Sequence, residues 1–232
     1  MLYKRKMHLA AILLLLGTSC AASYEPTASY EIRHVEGWTV YVSGILRQHP
    51  QLADKVVGLL REKLDDIARV IPKPALGQIR NVRIWLEYQD RDIAGGTYHP
   101  SGDWLREHDF NPDKERCVEF GNAENFLRWS AEQPSMVLHE LAHAYHHQVL
   151  GYDYPDIESA YRAALASHIY DSVLCFNGQK KRHYGMNNPK EYFAESTEAF
   201  FGRNDFYPFV RSELQQHDPR MYELVKAAWG VD

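Results

Sequence analysis

Met136-Val-Leu-His-Glu-Leu-Ala-His-Ala-Tyr145 is an apolar, proline-free stretch with two histidines four residues apart and a glutamate between them. Good helix formers dominate it, so it reads as an α-helix. On a helix, His139 and His143 lie on one face, one turn apart. Two neutral imidazoles so placed can hold one Zn²⁺, with Glu140 beside it to take a proton from water. The apolar flanks predict a buried helix, and a buried helix does not carry two histidines and a glutamate without a reason.

A catalytic zinc takes three protein ligands and keeps one position open. The arrangement HExxHxxGxxH would place Gly and His where this chain has His146 and Val149, so it is excluded. His146 stands seven residues from His139, about 10 Å along the helix axis, too far to share a metal with it. Cys117 as a thiolate ligand has no supporting neighbours in the sequence. The third ligand is therefore expected to be a carboxylate from a second helix. Glu191 and Glu195, in Lys190-Glu-Tyr-Phe-Ala-Glu195, lie four apart on one face of a helix expected over 189–201. One can bind zinc while the other hydrogen-bonds a ligating histidine and orients it. The aromatic neighbours Tyr192, Phe193, Phe200 and Phe201 predict burial of this helix. Glu191 is the favoured ligand, with Glu198 and Glu158 as alternatives.

Tyr184-Gly-Met-Asn-Asn-Pro-Lys-Glu191-Tyr-Phe-Ala-Glu195, downstream of the HExxH, resembles the catalytic domain of the anthrax lethal factor family. That family includes the clostridial Pro-Pro endopeptidases and belongs to the gluzincins. The resemblance covers roughly residues 135–205. It implies a zincin-like fold, Glu191 as third zinc ligand and Glu195 as the acid that orients a ligating histidine. It also implies that the Tyr184 phenol steadies a developing oxyanion. The chain departs from the pattern at Ser196-Thr197, before Glu198-Ala-Phe200. Residues 24–115 carry no part of the likeness. The toxin's delivery and docking domains have no counterpart here, so a toxin role does not carry over.

Outward from these motifs, the sequence reads as an α+β fold. A strand is expected at Thr39–Val42. A helix over 51–71 shows an apolar stripe (Val56, Leu60, Leu64 and Ile67 among it) that Pro72 and Pro74 end. A half-buried strand is expected at 82–88, a long loop over 89–115 and a short strand at 117–120. A helix over 123–132 precedes the HExxH helix, which has Pro134 in its first turn and runs to Leu150, with Gly151 as its stop. A helix over 157–168, a hairpin around Asn177-Gly178 and a last helix near 219–229 complete a mostly helical C-terminal half. The metal is expected at the junction of the halves, and a substrate peptide is expected to bind extended against an edge strand such as 116–120. Gly95, Gly96, Tyr98, His99 and Trp104, in the 92–110 loop, are candidates for the cleft.

Residues 1–22 read as a secretory signal peptide. Lys4, Arg5 and Lys6 are followed by the apolar run Leu9–Leu16 and small residues at 18–23. The run is too short for a membrane span. Cys20 is a possible lipid anchor, although Gly17-Thr18-Ser19 before it departs from the usual lipoprotein pattern. Residues 23–30 read as a short tether, and 31–232 as one zincin-like domain. Loss of the leader takes the net charge from −5 to about −8. No basic patch suggests a nucleic-acid partner. Cys117 and Cys175 either pair in an oxidising compartment or stay as buried thiols. The expected protein is a secreted or cell-envelope zinc metallopeptidase. The alternative is a catalytically silent binding module of zincin fold, against which the intact Glu140 and Tyr184 speak.

Overall fold

The computed structural model of this protein describes residues 24–90 and 92–231. The signal-peptide and Cys20 expectations lie outside these residues. A mixed α+β architecture is built around one five-stranded sheet. Its strands are β1 (Glu31–Val35), β2 (Trp38–Val42), β3 (Ile84–Leu86), β4 (Gly96–Tyr98) and β5 (Val118–Phe120), in the order β1-β2-β3-β5-β4. The outer pairs β1–β2 and β4–β5 are antiparallel, and β2, β3 and β5 run parallel.

The β1–β2 hairpin turns through Glu36-Gly37, both with positive φ (49° and 93°). This turn matches the right-handed twist of the strands and favours glycine at its second position. The strand expected at 82–88 shortens to β3 and is buried at every residue rather than on one face. Parallel neighbours and covering layers on both faces account for that.

Helix α1 (Gly44–Arg47) is a single turn capped by Ser43, and α2 (Pro50–Val70) follows it. Along α2, Val56, Leu60, Leu64 and Ile67 are buried at helical spacing. Pro72 ends that helix but also opens α3 (Lys73–Ile79), where Pro74 sits in the first turn and leaves no backbone donor unsatisfied.

Three segments depart from the sequence reading. The stretch 89–115 is not one long loop: it holds β4, helix α4 (Gly102–Glu107) and a 3₁₀ turn at Pro112–Lys114. The strand at 118–120 is not an edge, because β4 pairs along its outer side and is itself the edge. Residues 24–30 are not a loose tether. The Glu25 carboxylate accepts from Gly44 N at 2.6 Å, Thr27 Oγ1 donates to Asp113 Oδ2 at 2.6 Å, and the Tyr30 ring is buried against Trp85.

Helices α5 (Ala123–Trp129) and α6 (Met136–Tyr145) follow β5. Pro134 precedes α6 and its capping residue Ser135 rather than sitting within the first turn. Helix α6 continues as one π turn over His146–Leu150 and stops at Gly151, which takes φ +87°. It packs on β4 and β5 on one side and on α8 (Pro189–Phe201) on the other. Between them run α7 (Pro155–Ser167) and a two-residue-per-strand hairpin, β6 (Val173–Leu174) with β7 (Lys180–Lys181).

The C-terminal helices α9 (Arg211–His217) and α10 (Pro219–Ala228) brace α6 and α8. Tyr145 Oη donates to Ala228 O at 2.9 Å, and Trp229 Nε1 donates to Thr197 Oγ1 at 3.2 Å. Asp218 caps α10 and also accepts the buried hydroxyls of Tyr170 and Tyr192. Cys117 and Cys175 are both free and buried, the first under Tyr30 and Trp85, the second bridged to Phe206. Among the described residues, no helix is long and apolar enough to cross a membrane.

Candidate metal centre

The local sequence explains how each side chain is presented. Helix α6 is apolar almost throughout: Met136, Val137, Leu138, Leu141, Ala142 and Ala144 are all buried. Its polar groups then point where the packed core leaves an opening. Helix α8 starts abruptly, because Pro189 presets its first turn and the Asn188 side chain accepts from Lys190 N and Glu191 N at 2.9 and 3.0 Å. Glu191 thus sits in the first turn of α8, held in place by the cap, where the helix dipole favours a negative charge.

Three donor atoms converge between α6 and α8. His139 Nε2 lies 3.0 Å from His143 Nε2 and 3.0 Å from Glu191 Oε2, and His143 Nε2 lies 3.3 Å from the same oxygen. Tetrahedral zinc with bonds of ~2.0–2.1 Å separates its ligand atoms by about 3.3 Å, so the spacing fits. The chemistry of the donor set fits as well. His139 Nδ1 bonds Glu198 Oε1 at 2.6 Å. With the Nδ1 proton donated there, a neutral His139 turns a lone pair toward the His143 nitrogen and the Glu191 carboxylate. Two lone pairs and an anion meeting at one point call for a cation.

The surrounding carboxylates make the pocket anionic, which favours a positive charge there, a proton or a metal ion. Burial alone would depress His139, yet the hydrogen bonds to Glu191 and Glu198 outweigh it and raise its pKa well above the usual imidazole value. Burial would raise Glu191, but the two histidines hold it far below the carboxylate range. Glu140 has no such partner. Burial pushes its carboxyl up, partly offset by His139 and His143.

His139, Glu140, His143, Glu191 and Tyr184 all line one open cleft of about 350 Å³. Tyr184, in a 3₁₀ turn just before α8, is exposed, with its ring 6.5 Å from that of His139. Glu195 departs from its expected role. Its carboxylate stands 3.7 Å from His139 Nδ1, beyond hydrogen-bond range, and Glu198 makes that bond instead. Burial and the nearby Glu198 push the Glu195 carboxyl well up. Glu191, Glu195 and Glu198 follow the i, i+4, i+7 stripe of one helix face, so the spacing alone already allowed Glu198 this part. Glu158, the other alternative ligand, instead pairs with Arg162 on α7 at 2.7 Å.

The cleft's upper wall is β4. Backbone bonds of Gly95 and His99 run to Gly121 and Cys117, so the alternate residues Gly96 and Tyr98 direct their N–H and C=O groups outward, to the open edge. Gly96 also backs onto α6. A Cβ there would stand 2.9 Å from Glu140 Cγ and Oε1. Tyr98 Oη bonds His147 Nδ1 at 2.8 Å and ties the strand to the end of the α6 helix. His99, a candidate for the cleft, is turned away instead: it is buried and bonds Glu119 Oε2 at 2.6 Å. His146 is also buried, against Phe193 and Tyr152, and takes no part in the cluster.

Comparisons with protein-family models, with curated proteins and with solved structures return no match. The likeness to the lethal factor family rests on the residues quoted for it.

Proposed function

We propose that this chain is a secreted zinc metallopeptidase of the zincin-like, gluzincin kind that hydrolyses peptide bonds. The observation that carries the reading is the convergence of His139 Nε2, His143 Nε2 and Glu191 Oε2 beside the buried Glu140 in an open cleft. Those three residues would hold the ion. When bound, zinc supplies Lewis acidity, polarising a carbonyl and making water more acidic.

The remaining work falls to the chain's own groups. A Glu140 carboxylate oxygen takes the proton of the attacking water and returns it to the leaving nitrogen. Desolvation suits it to that task, since a raised pKa brings it nearer the working pH. The Tyr184 hydroxyl donates to the oxygen that gains negative charge. The free N–H and C=O groups of Gly96 and Tyr98 bind the substrate backbone as an added strand, next to the reacting groups. Glu198 keeps His139 in one tautomer. The basic, then apolar, then small-residue pattern of residues 4–23 supports export.

The test compares the zinc-loaded chain with Glu140→Gln on a diverse peptide library, with zinc content measured in both. Cleavage that vanishes in the variant at equal zinc content supports the reading. Cleavage that persists removes Glu140 as the base. A folded, zinc-loaded chain that cuts nothing favours the silent binding module. Glu191→Ala is expected to lose zinc.

A further inference from the structure

A second cavity, of about 910 Å³, lies across β4 from the metal cleft. Gly96, Thr97, Tyr98 and Pro100 line both. Its far wall is aromatic. Trp104 stacks on His108 with ring centroids 4.1 Å apart and on Phe110 at 5.6 Å. Ile93, Leu105 and Phe110 form a small core of their own behind it. Trp104 itself is 47% exposed, which leaves part of its ring open to the cavity it lines.

The strand geometry says what reaches this cavity. Gly96 faces Glu140 and Tyr98 faces His147, so even-numbered residues of β4 look toward α6. Thr97 and His99 must look the other way. The His99 ring indeed lies 6.2 Å from that of Phe110. A peptide added along the open edge of β4 alternates in the same manner. One set of its side chains turns toward the metal helix, and the other set turns over the Trp104–Phe110 wall. Successive side chains of one set are about 6.6–6.8 Å apart, and a cavity of this size has room for two of them.

We infer that the Trp104–His108–Phe110 cavity is the specificity site for substrate. It selects peptides with bulky apolar or aromatic residues at alternate positions, i and i+2, on the face turned away from the metal. This rests on the peptidase reading for its biological use, and a binding measurement tests it independently of that reading.

The experiment has two arms, both on the zinc-loaded full chain. In the first, the cleavage profile of a diverse peptide library is compared between the parent, Trp104→Ala and Trp104→Phe. Bulky apolar residues are expected at two positions of equal parity. Trp104→Ala is expected to lower kcat/KM about tenfold more for those peptides than for small-residue peptides, and Trp104→Phe to restore most of the difference. A profile without such a preference, or an equal loss on all peptides, overturns the inference and leaves the peptidase standing. In the second arm, binding of a soluble peptide with Phe at alternate positions is compared with its Ala counterpart, using the Glu140→Gln protein with and without Trp104→Ala. Trp104-dependent preference for the Phe peptide supports the inference even if no peptide is ever cut, in which case the peptidase reading alone falls. Equal binding of both peptides overturns it.

Discussion

Glu198 Oε1 lies 2.6 Å from His139 Nδ1, closer than any other carboxylate on α8. A buried acid on the far nitrogen of a metal-binding histidine sets its tautomer and raises its basicity. Glu198→Gln is therefore expected to weaken zinc binding by roughly 10–100-fold. Glu195→Gln, whose carboxylate is 3.7 Å away, should cost much less. Competition with a chromophoric chelator measures both, and a larger loss from Glu195→Gln would reverse the assignment.

Gly96 has no room for a side chain on its α6 side. The Cβ of Gly96→Ala would meet Glu140 at 2.9 Å and Phe120 Cε1 at 3.1 Å. Either Glu140 moves or the edge strand lifts, and a displacement of that order costs roughly 10²-fold in rate. The expected result is a kcat loss of this size with zinc content unchanged. Activity within twofold of the parent would show that Glu140 tolerates the shift.

His183 is buried beside Asn204 and 3.8 Å from the Glu195 carboxylate, and its Nδ1 accepts from Gly185 N at 2.9 Å, a bond that needs the unprotonated nitrogen. Burial lowers its pKa to about 3, and burial lowers His146 to about 4. Both folded values lie below the unfolded value of about 6.5, so the unfolded chain binds more protons in this window. The stabilisation is complete above about pH 6.5 and is lost as pH falls. Between pH 6.5 and 4.5, each histidine accounts for up to about 2–3 kcal/mol. Urea unfolding across this range checks it, and His183→Gln should flatten the slope by close to one proton.

Lys114 is buried in the sheet's far side, with Nζ 2.8 Å from Glu87 and 2.6 Å from Glu119, and Glu119 also meets His99. Lys114→Met strands two buried carboxylates that share this one ammonium. A loss of about 3–5 kcal/mol in unfolding free energy is expected. A change below 1 kcal/mol would mean the pair of glutamates is neutralised another way.

Helix α6 and the start of α8 were legible because their determinants are local. An apolar run with histidines at i and i+4 has one helical reading, and Asn188-Pro189 marks a helix start within two residues. The α2 stripe was legible for the same reason. The hairpin strand β1 was not, because its pattern is polar and half exposed and its identity comes from pairing with β2. The same holds for β4. Three residues containing a glycine carry no strand signal alone, and only the β5 ladder makes them a strand.

By itself, the sequence determined which side chains can bind a metal and on which helix faces they lie, since the 3.6-residue period follows from the backbone alone. The tertiary structure decided which of them meet. It brought Glu191 to the two histidines across 52 and 48 positions of chain and chose Glu198 over Glu195 for His139. It also made Gly96–Tyr98, rather than 118–120, the open edge above the cleft. Those outcomes depend on the packing angle of α8 on α6 and on strand order. Both are set by how the whole core closes, and no local stretch of sequence encodes either.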